Sequence, residues 1–239
     1  MKSVSSLGYK SSEAADPLTY DLVAREYYDE SLHPTCADFR LASCIYLSSL
    51  FAKLSPKGRV ADLGCGRSLI ANFQTDHLVL IDESVAMLDQ NPSTFERRKL
   101  DINREPFGSS EFDWIFAVLG DPYNSPAAWR NIRDALKSEG QCVFVVPSSE
   151  WARKFRAESA DERPDLARFV TSRGDVVFLR SLIFEPEDQS RMISSVGLTL
   201  ASFEQVKVRE LPYVRSPKIF DVLSADQSLL DVYRVINSG

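Results

Sequence analysis

The chain has 239 residues, 28 Lys and Arg against 34 Asp and Glu, a net charge of −6 and 44% apolar residues. That length buries roughly 70% of the unfolded surface without disulfide or metal staples, and the acidic balance argues against nonspecific nucleic-acid binding, which needs positive surface to displace counterions. No apolar run reaches the roughly 20 residues that span a bilayer, and Cys36, Cys44, Cys65 and Cys142 form no Cys-x-x-Cys pair, so no zinc site or disulfide framework is expected.

Residues 1–17 are Ser-rich and lack the apolar core of a secretory signal, which predicts a flexible tail and, with the cysteine spacing, a cytoplasmic protein. Residues 18–32 carry a loose helical stripe of Leu18, Leu22, Val23, Tyr27 and Tyr28. Pro34 disfavours helix at His33, and Thr35 is the expected cap of an amphipathic helix over 36–54, stopped by Ser55-Pro56-Lys57-Gly58. Strand–turn–helix units follow: strands over 60–63, 77–81, 98–100, 112–119 and 142–146, with helices over 68–74, from Ser84 to Leu88, and over 127–137. Apolar strands alternating with amphipathic helices predict a parallel sheet covered on both faces. Beyond Pro147 the rhythm breaks. Residues 149–168 read as a charged helix interrupted by Pro164, 176–184 as a strand, 187–195 as a helix, and 198–208 and 230–236 as the last strands. The expected organisation is one domain over 18–239, with a helical cap at 18–55 and an insertion at 148–185 that covers substrate.

The strongest local pattern is Asp62-Leu63-Gly64-Cys65-Gly66-Arg67-Ser68, between a strand and a helix. Glycines at 64 and 66 permit a tight turn and close approach of a ligand. A dinucleotide fingerprint needs glycine where Leu69 stands, and an acid so near the loop suits a ligand's ammonium group better than a pyrophosphate. Asp82, 20 positions after Asp62, closes the second strand, where a carboxylate takes both ribose hydroxyls. Asp101 ends the third strand, where it can accept from an adenine amine while Ile102 covers the ring.

In this order the segments resemble class I S-adenosylmethionine-dependent methyltransferases. Asp62 to Ser68 is similar to the family's D-x-G-x-G-x-[GS] loop, and Ile81-Asp82-Glu83-Ser84-Val85-Ala86-Met87-Leu88 to its second motif. Asp101 to Ile115, Leu136 to Gly140 and Met192 to Phe203 resemble its later segments. The resemblance covers residues 58–147 best. It implies a Rossmann-like three-layer α/β sandwich whose mostly parallel seven-stranded sheet ends in an antiparallel strand. It also implies S-adenosylmethionine as cofactor: Asp62, Gly64, Cys65 and Gly66 at its methionine part, Asp82 at ribose, Glu83 and Ser84 beside adenine, Asp101 and Ile102 on adenine, and Val118 and Leu119 lining the other side. Two departures are Ser68 at the third glycine and a short stretch from Gly66 to Asp82, which predicts a stunted first helix.

Methyl transfer from a sulfonium is an in-line displacement that needs alignment above all, so the family motifs imply cofactor residues and no fixed catalytic set. His33 and Tyr123 are the candidate catalytic residues, with Tyr20, Tyr27, Tyr28 and Asp121 on the substrate side; His77 is expected to be structural. Gly120-Asp121-Pro122-Tyr123 has one proline fewer than the [DNS]-P-P-[YFW] motif of amino-methyltransferases. The expected activity is methyl transfer to an oxygen or nitrogen of a small-molecule acceptor, with no metal, nucleic-acid or membrane partner. A non-catalytic cofactor-binding subunit, or an enzyme acting on a nucleobase or protein, is the alternative.

Overall fold

Strands apolar at nearly every position must be buried on both faces, because successive side chains point to opposite sides. The computed structural model describes residues 19–158 and 165–239. Its first half contains α1 (Thr19–Val23), α2 (Pro34–Leu54), β1 (Arg59–Leu63), β2 (His77–Asp82), α3 (Val85–Leu88), β3 (Glu96–Lys99), β4 (Phe112–Val118) and α4 (Pro126–Ala135). The second half adds β5 (Leu136–Pro147), α5 (Ser149–Glu158), β6 (Leu166–Val170), β7 (Val176–Arg180), α6 (Pro186–Ser195), β8 (Thr199–Lys207), α7 (Pro217–Phe220) and β9 (Ser228–Ile236). Seven strands form one sheet in the order β3-β2-β1-β4-β5-β9-β8. β1 to β5 pair in parallel, and β9 runs antiparallel to β5 and β8. This is the Rossmann-like sandwich expected, with its last strand reversed.

The alternation sorts the core. Ala61, Leu63, Ile115, Ala117, Cys142 and Phe144 face the layer containing Trp129 and Ile132 of α4 and Ile193 of α6. Val60, Leu78, Leu80, Phe116, Val143 and Val145 face the layer containing Phe39, Leu47 and Leu50 of α2. A third, smaller cluster joins Val23, Ala24 and the rings of Tyr20, Tyr27 and Tyr28 to Met87, Phe169 and Leu179. It lies where α1, α3 and the β6–β7 hairpin meet. So α2 belongs to a sheet face, and only α1 and the turns after it join the hairpin.

Several local expectations change. The helix over 18–32 is confined to α1, followed by turns to Leu32. α2 begins at Pro34, which presets its first turn, and His33 is the N-cap position. Thr35 does not cap; its hydroxyl pairs with Ser216 at 2.7 Å. The helix over 68–74 shrinks to one 3-10 turn at Ile70–Asn72. α4 stops at Ala135, and residues 137–140 bulge out of β5, with Leu136 opposite Phe112 and Gln141 opposite Trp114. Residues 166–168, read as helix, belong to β6, paired with β7. The expected tail at 1–17 and Pro164 lie outside the described residues. No described helix is long and apolar enough to cross a membrane.

Candidate functional site

In an open parallel sheet, ligands bind beyond the carboxyl ends of the strands, where the strand order reverses. Here that point lies between β1 and β4. β1 delivers Asp62, 2% exposed, just before the glycine loop. Gly64 and Gly66 have φ of +59° and +49°, left-handed conformations that glycine adopts without strain. A Cβ on Gly64 would lie 2.2 Å from Tyr123, and one on Gly66 2.0 Å from the Tyr28 hydroxyl. The loop therefore needs glycine twice over, for its turn and for the rings that close on it. It is pinned from below: Cys65 donates its N–H to Ile81, Gly66 to Asp82 Oδ2 at 2.8 Å and Ser68 to Asn91 Oδ1 at 2.9 Å.

The strand ends collect acids. Asp62 accepts a 2.6 Å bond from the Ser68 hydroxyl. Burial pushes its carboxyl up to about 7, with neighbouring Asp82 adding to the rise. Asp82 accepts from Gly66 N–H and, at 2.9 Å, from Ser84 N–H; burial still pushes it up to about 6. Glu83 is pushed up to about 7, first by burial and then by Asp101 and Asp82. Asp121 opens a 3-10 turn (Asp121–Tyr123) after β4; burial pushes it up to about 6 against a hydrogen bond from Ser181. Asp101 is held by Asn103 N–H at 2.9 Å and by Arg104 at 3.2 Å. Among the described residues no group of His, Cys, Asp and Glu is arranged to hold a metal ion.

The cover lies over these ends. The Tyr28 hydroxyl accepts the Arg67 N–H at 2.6 Å, and the Arg40 and Arg67 guanidiniums sit 4.5 and 4.6 Å from its ring centroid. Asp21 of α1 accepts from the Ser84 hydroxyl and, at 3.0 Å, from Ala86 N–H. Tyr20 lies among Asp121, Glu83 and Asp82, which together with its burial hold the phenol well above its usual range.

The structure thus gathers Asp62, Gly64, Cys65, Gly66, Asp82, Glu83 and Asp101 at one edge of the sheet. Other expected site residues have different surroundings. Ser84 is completely buried, caps α3 through Met87 N–H and donates to Asp21, so its hydroxyl is committed to the fold. Ile102 is completely buried in the sheet core, and Val118 and Leu119 pack with the cluster on the α2 face. Leu119 has φ +56°, a strained conformation for leucine directly beside the switch point. Tyr123 is buried against Gly64, and burial with nearby Asp82 and Glu83 keeps its phenol protonated, so it can give a hydrogen bond but does not serve as a base. His33 stacks on Phe169 at 3.9 Å between centroids. Its Nε2 is buried without a hydrogen bond, and its charged neighbours are Glu26, Asp29 and Lys218 rather than the strand-end acids. His77 begins β2 at the opposite end.

Sequence reasoning missed Asn91, whose amide also donates to Gly66 carbonyl at 2.6 Å, and Asp21, which ties the cover to α3. Neither stands in a recognisable pattern. Arg40, one of two cations in the largely apolar α2, carried only a weak signal; it donates to the Arg67 carbonyl at 2.9 Å.

No protein-family model matches this sequence, and comparison with curated proteins finds no match. Solved structures share the fold. DhpI, in its complex with SAM and HEP, superposes with a TM-score of 0.67 at 15% identity over 95% of this chain and 99% of that one. DhpI in complex with SAH gives 0.63 at 14% identity over 94% and 98%. An S-adenosylmethionine-dependent methyltransferase from Clostridium acetobutylicum gives 0.60 at 14% identity over 92% and 99%. The architecture is that of S-adenosylmethionine-dependent methyltransferases along nearly the whole chain.

Proposed function

We propose that the chain binds S-adenosylmethionine at the carboxyl ends of β1 to β4 and transfers its methyl group to an oxygen or nitrogen of a small-molecule acceptor. The carrying observation is the glycine loop seated between two buried acids, Asp62 and Asp82, each pushed up by burial. Buried carboxylates of this kind gain from a cationic partner and from hydroxyl donors. A sulfonium ligand with an ammonium and a ribose supplies both, and a pyrophosphate supplies neither. Asp62 and the loop of Gly64, Cys65 and Gly66 would hold the amino-acid part, Asp82 the ribose, and Glu83 and Asp101 the adenine side. The bound cofactor supplies an electrophilic methyl; the chain's part is to align the acceptor and exclude water.

The cover supports this reading. Tyr28 and Tyr123 close on the glycine loop, which suits a ligand held beneath aromatic rings. α1 and the residue just after it are tied to α3 and its flanks by hydrogen bonds of Ser84 and Ala86 with Asp21 and of Gln90 with Ala24. Calorimetry with S-adenosylmethionine, S-adenosylhomocysteine and NAD tests the cofactor: the first two should bind and NAD should not, and binding of NAD alone would overturn it. Label transfer from methyl-labelled cofactor to the small-molecule fraction of a cell extract tests the reaction; label found only in protein or nucleic acid would overturn the acceptor class.

A further inference from the structure

We propose that the amino ends of β4 and β5 hold a second small-molecule site, which takes a zwitterion with an aromatic or apolar body, the chemistry of a free α-amino acid; it stands independently of the methyl-transfer reading. A cavity of about 560 Å³ opens there between the carboxyl end of α2, the start of β4 and the bulge of β5. That volume falls among those that hold small ligands, roughly 300–1,000 Å³. β4 runs seven residues from this cavity toward the glycine loop, so the two sites stand at opposite ends of the sheet. Trp114 lines the cavity, half-buried, with its ring stacked on Phe116 at 6.0 Å between centroids. Gln141, opposite Trp114 in the pairing of β4 with β5, lines it too, and its amide Oε1 is buried without a hydrogen bond. Native folds leave few buried acceptors unmet, and each such atom calls for a donor.

The charges in the wall leave one of each sign over. Asp113 is already matched: its Oδ2 accepts the Arg59 N–H at 2.8 Å and a bond from Lys137 Nζ at 2.7 Å. Lys57 and Glu139 are exposed, and among the described residues neither side chain has a hydrogen bond or an ion-pair partner. Glu139 stands at φ +61°, and Ser55, which ends α2, at φ +44°. Glycine is the usual residue in such left-handed positions, yet the chain keeps a carboxylate and a hydroxyl there, both at the cavity. The 21-residue α2 adds the negative end of its dipole. An ammonium therefore finds Glu139, the helix end and the Gln141 amide oxygen; a carboxylate finds Lys57; an apolar body finds Trp114. A simple cation would leave Lys57 opposed to it, and a simple anion would meet Glu139 and the helix end.

The test follows the sequentially assigned indole N–H signals of the three tryptophans by NMR in the full chain. The probes are L-phenylalanine and its two halves, phenethylamine and 3-phenylpropionate. With L-phenylalanine the Trp114 signal should shift and saturate with a Kd of about 1 mM or tighter. Trp151, whose indole N–H donates to the Lys218 carbonyl in the layer after the carboxyl end of β5, should stay still. Each half should bind about fivefold more weakly or worse. Lys57→Met and Glu139→Gln, changes at exposed side chains, should each weaken L-phenylalanine about fivefold, the reach of an exposed charge pair. Lys57→Met should leave phenethylamine unweakened, and Glu139→Gln should leave 3-phenylpropionate unweakened, since each half lacks the group that the lost charge holds. An unmoved Trp114, a half that binds as tightly as the whole, or variants that bind L-phenylalanine like the unaltered chain would overturn the site. A shift of Trp151 alone would put the amino acid at the other end of the sheet and overturn it as well.

Discussion

The two ends of the sheet treat the same side chains in opposite ways. At the amino ends, Arg59 pairs with Glu96 at 2.7 Å and Glu111 at 2.9 Å, Arg98 bonds both acids, and Lys137 reaches Asp113 at 2.7 Å. Hydrogen bonds from Arg98 hold Glu96 and Glu111 below the usual carboxylate range, and the Lys137 bond helps hold Asp113 there against its partial burial. At the carboxyl ends Asp62, Asp82, Glu83 and Asp121 are all pushed up, with burial the leading cause in each. Paired acids at a protein surface serve stability in small increments. Acids whose burial outweighs their neighbouring cations cost stability at neutral pH, and such perturbed groups cluster at functional sites. One sheet thus has an end whose acids are paired and an end whose acids are held up by burial.

The largest effect that tests this contrast is on ligand binding. Asp82→Ala removes an acceptor that would hold two ribose hydroxyls, each charge-assisted bond worth about 1.5–3 kcal/mol. S-adenosylmethionine affinity should drop by two orders of magnitude or more in calorimetry, and an unchanged affinity would remove Asp82 from the ribose site. Asp62→Asn probes the cost of the buried charge. The span from the ordinary 3.8 to about 7 corresponds to roughly 4 kcal/mol at 1.36 kcal/mol per pKa unit. With its folded value raised, Asp62 favours the fold below pH 4 and loses that contribution as pH rises through 7. In urea denaturation, Asp62→Asn should therefore flatten the loss of stability between pH 4 and 7 and raise stability at pH 8, while weakening the cofactor.

At the other end the sign reverses. Glu111 contributes stability above its ordinary 4.5 and loses it as pH falls through its lowered folded value. Glu111→Gln should cost about 1 kcal/mol at pH 7, erase part of the acid-side loss below pH 4.5, and leave S-adenosylmethionine affinity within twofold. A change in cofactor affinity would break the separation of the two ends. Among the strand-end acids, Asp101→Ala should have the smallest effect on binding, under tenfold, because this acid already shares its charge with Arg104 and its oxygens with Asn103. A loss equal to that of Asp82→Ala would shift the site's centre toward β3.

Much of the sheet was legible from period and punctuation. β1, β2, β4 and the main part of β5 are apolar runs that only a two-sided burial explains, and glycines at 64 and 66 between a strand and a turn announced the loop. Ser84 was legible as a helix start, and its hydroxyl does accept the Met87 N–H. Less was legible where contacts are long-range. The stretch of 149–168 reads as charged helix on both sides of Pro164, yet Leu166 to Val170 is strand because Val176–Arg180 offers a partner and Phe169 finds Tyr27 and His33. His33 and Tyr123, chosen by residue type and position along the chain, sit in a ring stack and against a glycine.

The sequence by itself determined the order of strands and helices, the turn that only glycine permits, and the placement of acids at strand ends, because these depend on side-chain period and on backbone freedom within a few residues. Only the tertiary structure decided which acids are charged and which cation answers each. Burial and distance set a carboxyl's pKa, and neither exists until α1, the β6–β7 hairpin and the strand ends have come together. Asp121 and Glu111 are both acids beside β4 in the chain; one is half-buried and raised, the other lies between two arginines and is lowered.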